Sequence, residues 1–179
     1  MKRYTACIDP TLPIIAIDMG YSANSRSCGF THSGTSETQT LRFGECITAA
    51  LERFTQQGLH LLILEAVLST YHRPDGNPDI RGEFEKGRGW YYGPGVATYA
   101  AALRFLKVLD QQLPKSMQPI PLVEGFLSYK KTRTQHCDDA WRLLVEFETA
   151  ERFQARKGSE AVSAQVAGIP QIIRYNEPI

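Results

Sequence analysis

The sequence predicts a single α/β domain with a mixed five-stranded sheet and helices on both faces. Short apolar runs alternate with longer segments whose apolar residues recur at every third or fourth position, which is the spacing of one helix face. The chain has 179 residues, of which 42% are hydrophobic, enough for one domain with a substantial core. Its 20 Lys and Arg residues balance 19 Asp and Glu residues, so the net charge does not indicate a general attraction to polyanions.

The first half of the chain predicts three strands and a helix. Ile14 to Asp18 is a short apolar run that ends in an acid before Gly20, which is typical of a buried strand ending at a turn. Residues 25–31 and 38–43 are rich in Thr, Ser and Phe around a Gly-Thr-Ser turn, and they predict two antiparallel strands. Helical spacing then predicts a helix over 45–57. Its expected inner face consists of Ile47, Ala50, Leu51 and Phe54, and Gly58 is its expected stop.

The second half predicts two further strands and two helices. The apolar run 60–64, closed by Glu65, is typical of a strand that is buried on both faces. Residues 120–124 predict the fifth strand, and helical spacing predicts helices over 96–113 and over 136 to about 156. The expected inner faces consist of Ala100, Leu103, Leu106 and Leu109 in the first of these helices and of Ala140, Leu143, Leu144 and Phe147 in the second.

Two segments fall outside these elements. Residues 69–95 contain many Gly and Pro residues and no sustained periodicity, so we expect a long surface loop that is mobile and closes over a bound substrate. The tail from 157 onward has no clear pattern. We therefore expect one domain over 1–179, with an insertion at about 69–95 and a C-terminal extension at about 157–179.

The predicted order of elements resembles the ribonuclease H-like sheet. An antiparallel meander is followed by two helix-and-strand units, and right-handed crossovers leave few other ways to wind such a sheet. In this topology the first strand lies mid-sheet and pairs with the strand that ends at Glu65. Asp18 and Glu65 would then meet at one edge. Asp139 and His136 are three residues apart on one helical face, so both could reach the same place.

A cluster of three carboxylates needs a counter-charge. Two carboxylates about 4 Å apart repel by about 4 kcal/mol at an effective dielectric constant of 20. Oxygen ligands favour Mg²⁺ or Mn²⁺, and two such ions roughly 3.5 to 4 Å apart would hold the attacking water and the leaving oxygen of a phosphodiester. Structural explanations stay open, because Asp18 also suits a strand-end turn, and Asp138 and Asp139 also suit a helix N-terminus.

Short motifs at these positions resemble RuvC-like nucleases of the ribonuclease H-like superfamily, in particular the predicted nucleases of domain of unknown function 429. The matching segments are 15–22 with Cys28-Gly29-Phe30, Leu64-Glu65-Ala66, and His136-Cys137-Asp138-Asp139-Ala140, and Arg81 and Glu124 also match that family. The resemblance implies a nuclease that cleaves DNA or RNA by a two-metal mechanism. It also implies that the catalytic residues and ligands of Mg²⁺ or Mn²⁺ are Asp18, Glu65, His136 and Asp139.

Basic residues near these motifs are candidates for nucleic-acid binding. Lys130, Lys131 and Arg133 precede the last helix and are placed to contact phosphates, although a solvated loop would also carry such charges. Arg81 and Arg88 lie in the long loop close to Trp90, Tyr91 and Tyr92, which together suit a base-stacking platform. The same aromatic residues would also serve to cover the core.

The four cysteines form no C-x-x-C pair, which argues against a zinc ribbon or a disulfide framework and favours a reducing cytoplasm. No run approaches the roughly 18 apolar residues of a membrane span, so no membrane partner is expected. Monomer and homodimer stay open. Two other functions compete with the nuclease: a non-catalytic nucleic-acid-binding or assembly module of the same fold, and a small-molecule phosphohydrolase.

Overall fold

The computed structural model describes residues 11–22, 24–80, 85–87, 89–117, 120–125, 134–149, 162–163 and 172–174. Within these ranges the strands are β1 (Ile14–Asp18), β2 (Cys28–His32), β3 (Gln39–Leu41), β4 (Leu61–Glu65), β5 (Ser69–Thr70), β6 (Leu122–Gly125), β7 (Val162–Ser163) and β8 (Ile172–Arg174). The helices are α1 (Phe43–Gln57), α2 (Gly93–Gln112) and α3 (His136–Thr149), with a 3-10 turn at Lys115–Met117.

The main sheet is mixed, as the sequence predicts. Its strand order is β3-β2-β1-β4-β6-β8. The β1–β2 and β2–β3 pairs are antiparallel, whereas β1–β4, β4–β6 and β6–β8 are parallel. The five predicted strands are therefore present, with β1 inside the sheet beside β4. A sixth strand, β8, extends the sheet from the C-terminal region that carries no clear sequence pattern.

Helices cover both faces of the sheet, which confirms that part of the predicted fold. On β1, Ile15 and Ile17 pack on one face with residues of α1 and α2, while Ile14 and Ala16 pack on the other face with α3. This division follows from the alternation of side chains along a strand. The predicted inner face of α3 is correct, because Ala140, Leu143 and Leu144 are buried and Phe147 packs against them.

The first helix is bounded by local hydrogen bonds. The Arg42 N–H donates to the Glu45 carboxylate over 2.9 Å, which is half of a capping box. At the other end the Gly58 N–H donates to the Phe54 carbonyl, and Gly58 adopts a φ of 83°. Only glycine adopts this conformation without strain, so the predicted stop at Gly58 is confirmed.

The predicted inner face of α2 is partly wrong. Ala100 is exposed and Leu103 is half-buried. The predicted residues are three positions apart, and a helix turns by about 100° per residue, so Ala100 and Leu109 lie on opposite sides. The residues that α2 buries are Ala101, Ala102, Phe105, Leu106, Val108 and Leu109.

The segment 69–95 contains more structure than a surface loop. It begins with β5, which pairs with β7 in a separate antiparallel ladder, and an isolated bridge joins His72 to Pro78. Glu85 is buried, and α2 begins already at Gly93. The backbone N–H and the side-chain amide of Asn77 both donate to the Asp75 carboxylate and stabilise the turn there, which sequence periodicity does not reveal. Among the described residues, no helix is both long and apolar enough to cross a bilayer.

Candidate metal centre

Three carboxyl groups converge at one edge of the sheet. Asp18 is the last residue of β1, Glu65 is the last residue of β4, and the two are paired in the parallel ladder. Asp139 belongs to the first turn of α3 and is 3% exposed. One oxygen from each of the three carboxylates lies within 4.8 Å of the other two. The prediction that these distant acids meet is therefore confirmed.

Strand alternation explains why both strand-end acids face the same helix. Asp18 continues the series of Ile14 and Ala16, which pack against α3. Glu65 likewise continues the series of Leu61 and Ile63 on that face. A shift of either strand by one residue would turn its acid toward α1 and α2. The hydrophobic pattern of the two strands therefore also fixes the side on which the site forms.

Gly29 allows α3 to approach the sheet. It lies opposite Asp18 in the antiparallel β1–β2 pair. A Cβ atom built on Gly29 would overlap the carbonyl oxygen of His136, the first residue of α3. Glycine inside a strand often marks a close backbone approach, and this signal was present in the sequence. Gly29 therefore lets the first turn of α3, and with it Asp139, reach the strand-end acids.

Hydrogen bonds organise the start of α3. The Asp139 N–H donates to the Gln135 carbonyl over 3.1 Å, and the Asp138 carboxylate accepts the Gln135 N–H over 3.3 Å. Asp138 is exposed and caps the N-terminus of α3, which agrees with the structural explanation that the sequence left open for it. The hydroxyl of Thr134 donates to Oδ1 of Asp139 over 2.6 Å. Sequence reasoning missed Thr134, although its place five residues before Asp139 was a usable signal.

His136 contacts Asp18. Its Nδ1 lies 2.5 Å from Oδ2 of Asp18, and the histidine side chain is 48% exposed whereas that of Asp18 is 13% exposed. The hydrogen bond to Asp18 raises the pKa of His136, and the negative charges of Asp18 and Asp139 raise it further against the effect of burial. Among the described residues, the group of mutually close ligand atoms comprises the three acids without His136. Its role as a fourth ligand stays a prediction.

The donor set fits a hard divalent cation. All three residues of the cluster offer carboxylate oxygen, which suits Mg²⁺ or Mn²⁺ better than softer metals. Because Asp18 and Asp139 are nearly buried, water screens their mutual repulsion poorly.

No protein-family model matches the chain, and the comparisons with curated proteins and with solved structures also give no match.

A pair of thiols lies close to the site. Cys28 and Cys46 are both fully buried, and the two thiols influence each other's ionisation. The Cys28 thiol also donates to the Gly20 carbonyl over 3.4 Å, which ties the turn after Asp18 to β2. The hydrogen bond from Cys46 lowers the pKa of Cys28, whereas the same bond and burial raise that of Cys46. Both cysteines are free thiols, as is Cys137.

The predicted nucleic-acid-binding residues lie outside the described residues. They are Lys130, Lys131, Arg133, Arg81 and Arg88. The neighbouring aromatic residues form a connected group, in which Trp90 and Tyr91 meet edge-on and Tyr91 and Tyr92 are 4.5 Å apart between ring centroids. Trp90 is half-buried and donates to the Asp79 carbonyl, whereas Tyr92 is 62% exposed. Trp90 thus anchors the group, and Tyr92 presents a ring to solvent.

Proposed function

We propose that this protein is a nuclease that hydrolyses phosphodiester bonds of DNA or RNA with Mg²⁺ or Mn²⁺ held by Asp18, Glu65 and Asp139. The observation that carries this proposal is the convergence of three carboxylates from β1, β4 and α3 to within 4.8 Å. Two of the three are nearly buried, where a positive charge beside a carboxylate is favourable. A divalent cation among the three carboxylates would supply such a charge.

The topology supports the same proposal. An antiparallel meander, β3-β2-β1, is continued by the parallel strands β4 and β6, and this order is compatible with a ribonuclease H-like fold. Asp18, Glu65 and Asp139 occupy the positions that the resemblance to RuvC-like nucleases implies for metal ligands. Three acids that are far apart in the chain are thus close in space. If the short motifs resembled those of nucleases only by chance, there would be no reason for their acids to come together.

When bound at this site, a divalent cation supplies positive charge to a phosphodiester oxygen and lowers the pKa of a coordinated water. The residues of the chain supply the geometry. The backbones of Asp18 and Glu65 are held by ladder hydrogen bonds of adjacent strands, so the separation of these backbones is fixed before any ligand arrives. Rigid placement of this kind lowers the cost of assembling reactants.

His136 is the proposed proton-transfer group of this site. Its Nδ1 is engaged with Asp18, which fixes the imidazole ring and leaves Nε2 to exchange a proton with substrate or water. The side chain is half-exposed, as a group that meets substrate must be. His136 therefore suits general acid or base chemistry beside the three acids.

The test compares two adjacent acids on α3. Labelled single-stranded, duplex and branched DNA and RNA are incubated with wild-type protein, with Asp139→Asn and with Asp138→Asn, in Mg²⁺, in Mn²⁺ and in EDTA. We expect cleavage that requires the metal, is lost in Asp139→Asn and persists in Asp138→Asn, because Asp138 is exposed and serves only the helix terminus.

Other outcomes would contradict the proposal in distinct ways. Equal activity of the two variants would remove Asp139 from the site. Metal-dependent hydrolysis of nucleotides with no cleavage of polynucleotides would favour a small-molecule phosphohydrolase. Nucleic-acid binding that is unaffected by EDTA, with no cleavage of any substrate, would favour a non-catalytic module.

A further inference from the structure

We infer that Thr134 is a positioning residue of this metal centre, which orients the Asp139 carboxylate toward the cation. The inference rests on the metal site proposed above and adds to it a residue outside the ligand set. The short motifs that resemble RuvC-like nucleases do not include Thr134. Thr134 lies directly before the N-cap of α3 and contacts Asp139.

The contact between the two side chains is short and direct. Oγ1 of Thr134 lies 2.6 Å from Oδ1 of Asp139. This distance falls in the range of hydroxyl bonds to charged carboxylates, which are roughly twice as strong as bonds between neutral groups. Asp139 is 3% exposed and Thr134 is half-buried, so water competes little for this bond.

The N-terminus of α3 is capped without a contribution from Thr134. Gln135 is the N-cap of α3, because its carbonyl accepts the Asp139 N–H. Asp138 already bonds back to the N–H of Gln135. Thr134 and Asp139 occupy the positions where two apolar residues commonly pack as a hydrophobic staple. Here a hydrogen bond between polar side chains takes the place of that apolar contact.

The hydrogen bond from Thr134 limits how the Asp139 carboxylate can be oriented. The backbone of the first turn of α3 is already located by its close approach to Gly29. The Thr134 hydroxyl then restricts the torsions of the Asp139 side chain by holding Oδ1. Partners of this kind orient ligands in metal sites, and their loss typically weakens metal binding by about 10-fold to 100-fold.

The experiment compares Thr134→Val, which keeps the size and removes the donor, with Thr134→Ser, which keeps the donor. The dissociation constant for Mn²⁺ is measured by electron paramagnetic resonance on the full chain, and each protein is melted without metal. We expect Thr134→Val to bind Mn²⁺ about 10-fold to 100-fold more weakly than wild type. Thr134→Ser should bind like wild type.

A second variant separates positioning from helix stability. Asp138→Ala removes the bond to Gln135 and leaves the bond between Thr134 and Asp139 in place. It should lower the melting temperature without weakening Mn²⁺ binding. If Thr134 were only structural, Thr134→Val would behave in the same way as Asp138→Ala.

The outcomes distinguish this inference from the proposed function. If wild type binds Mn²⁺ and Thr134→Val binds it equally well, the inference is overturned and the metal site stands. Weak binding by Thr134→Ser would also overturn it, because the donor is retained. If wild type binds no Mn²⁺, both fail together. Should Thr134→Val be unfolded in the metal-free melt, Thr134→Ala takes its place with the same expectations.

Discussion

Gly29 of β2 lies directly against the carbonyl of His136, so the backbone of α3 touches the sheet where a side chain would ordinarily stand. This contact lies beside Asp18, which pairs with Gly29 across the strands. It brings the first turn of α3 to the ends of β1 and β4. The geometry of the candidate metal centre therefore depends on Gly29, although this residue has no side chain and provides no ligand.

Replacing Gly29 with Ala should displace the first turn of α3. The added methyl group would overlap backbone atoms that cannot move independently of the helix. We expect a loss of about 1–3 kcal/mol in the free energy of unfolding, together with weaker Mn²⁺ binding. Urea unfolding and a Mn²⁺ titration measure the two effects.

The control for this change is Gly44→Ala in α1, where a Cβ atom meets nothing within 4 Å. Alanine suits a helix better than glycine, so this variant should be as stable as wild type or more stable by up to about 1 kcal/mol. A Gly29→Ala protein with unchanged stability and Mn²⁺ affinity would show that the close approach to α3 is unimportant.

Asp18→Asn should abolish stabilisation by the metal. A ligand at 100 times its dissociation constant stabilises the folded state by about 2.7 kcal/mol, so Mg²⁺ should raise the melting temperature of wild type. The Asn variant lacks the anionic oxygen and should not respond. Without metal, relief of carboxylate repulsion opposes the loss of the charged partner of His136, and we expect a small net change. Thermal melts with and without Mg²⁺ check both expectations.

Glu52→Gln serves as the matched control for Asp18→Asn, because Glu52 is an exposed acid on α1. It should keep the full response to Mg²⁺. An equal response of Asp18→Asn would mean that Asp18 is a turn residue and not a ligand, and the nuclease proposal would lose its main support.

His60 should make the protein less stable in acid. The ring is fully buried against Phe54, and burial lowers its pKa despite the bond to the Gly58 carbonyl. Charges on His32 and Arg53 lower it further. The unfolded chain takes up this proton near pH 6.5, before the folded protein does. The contribution to stability is therefore complete above pH 6.5 and decreases below it, by at most about 1.4 kcal/mol per pH unit.

His60→Asn tests this expectation, since its amide can donate to Gly58 but does not titrate. Urea unfolding at pH 7.5 and at pH 5.5 gives the free energy of unfolding for both proteins. Wild type should lose more stability than the variant between these two values. Equal losses would exclude His60 as a source of acid sensitivity.

The cysteines should differ in reactivity. Cys137 is partly exposed, whereas Cys28 and Cys46 are fully buried. Alkylation of the native protein with iodoacetamide, followed by peptide mass spectrometry, should modify Cys137 before the other two described cysteines. Cys28 and Cys46 should react only at the rate of unfolding, although the pKa of Cys28 is lowered. Early modification of Cys28 would contradict the packing of α1 on β2.

The sequence predicted those elements whose signal lies within one short segment. β1 and β4 are apolar runs that end in acids, and such runs indicate buried strands whatever their partners are. The start of α3 at His136 and the stop of α1 at Gly58 follow from local spacing and from glycine. Since parallel strands end at the same edge, Asp18 and Glu65 could also be expected to meet.

Tertiary structure decided the elements and contacts that depend on residues far apart in the chain. β5, β7 and β8 contain two or three residues each, and a strand so short forms only against a partner. The approach of Gly29 to His136 joins segments more than 100 residues apart, so the glycine in β2 indicates a close approach but no local pattern identifies its partner. Apolar spacing and strand ends thus determined which acids could form a site. The distances among them and the engagement of His136 with Asp18 were settled by packing, because these contacts require α3 to lie against β1 and β2.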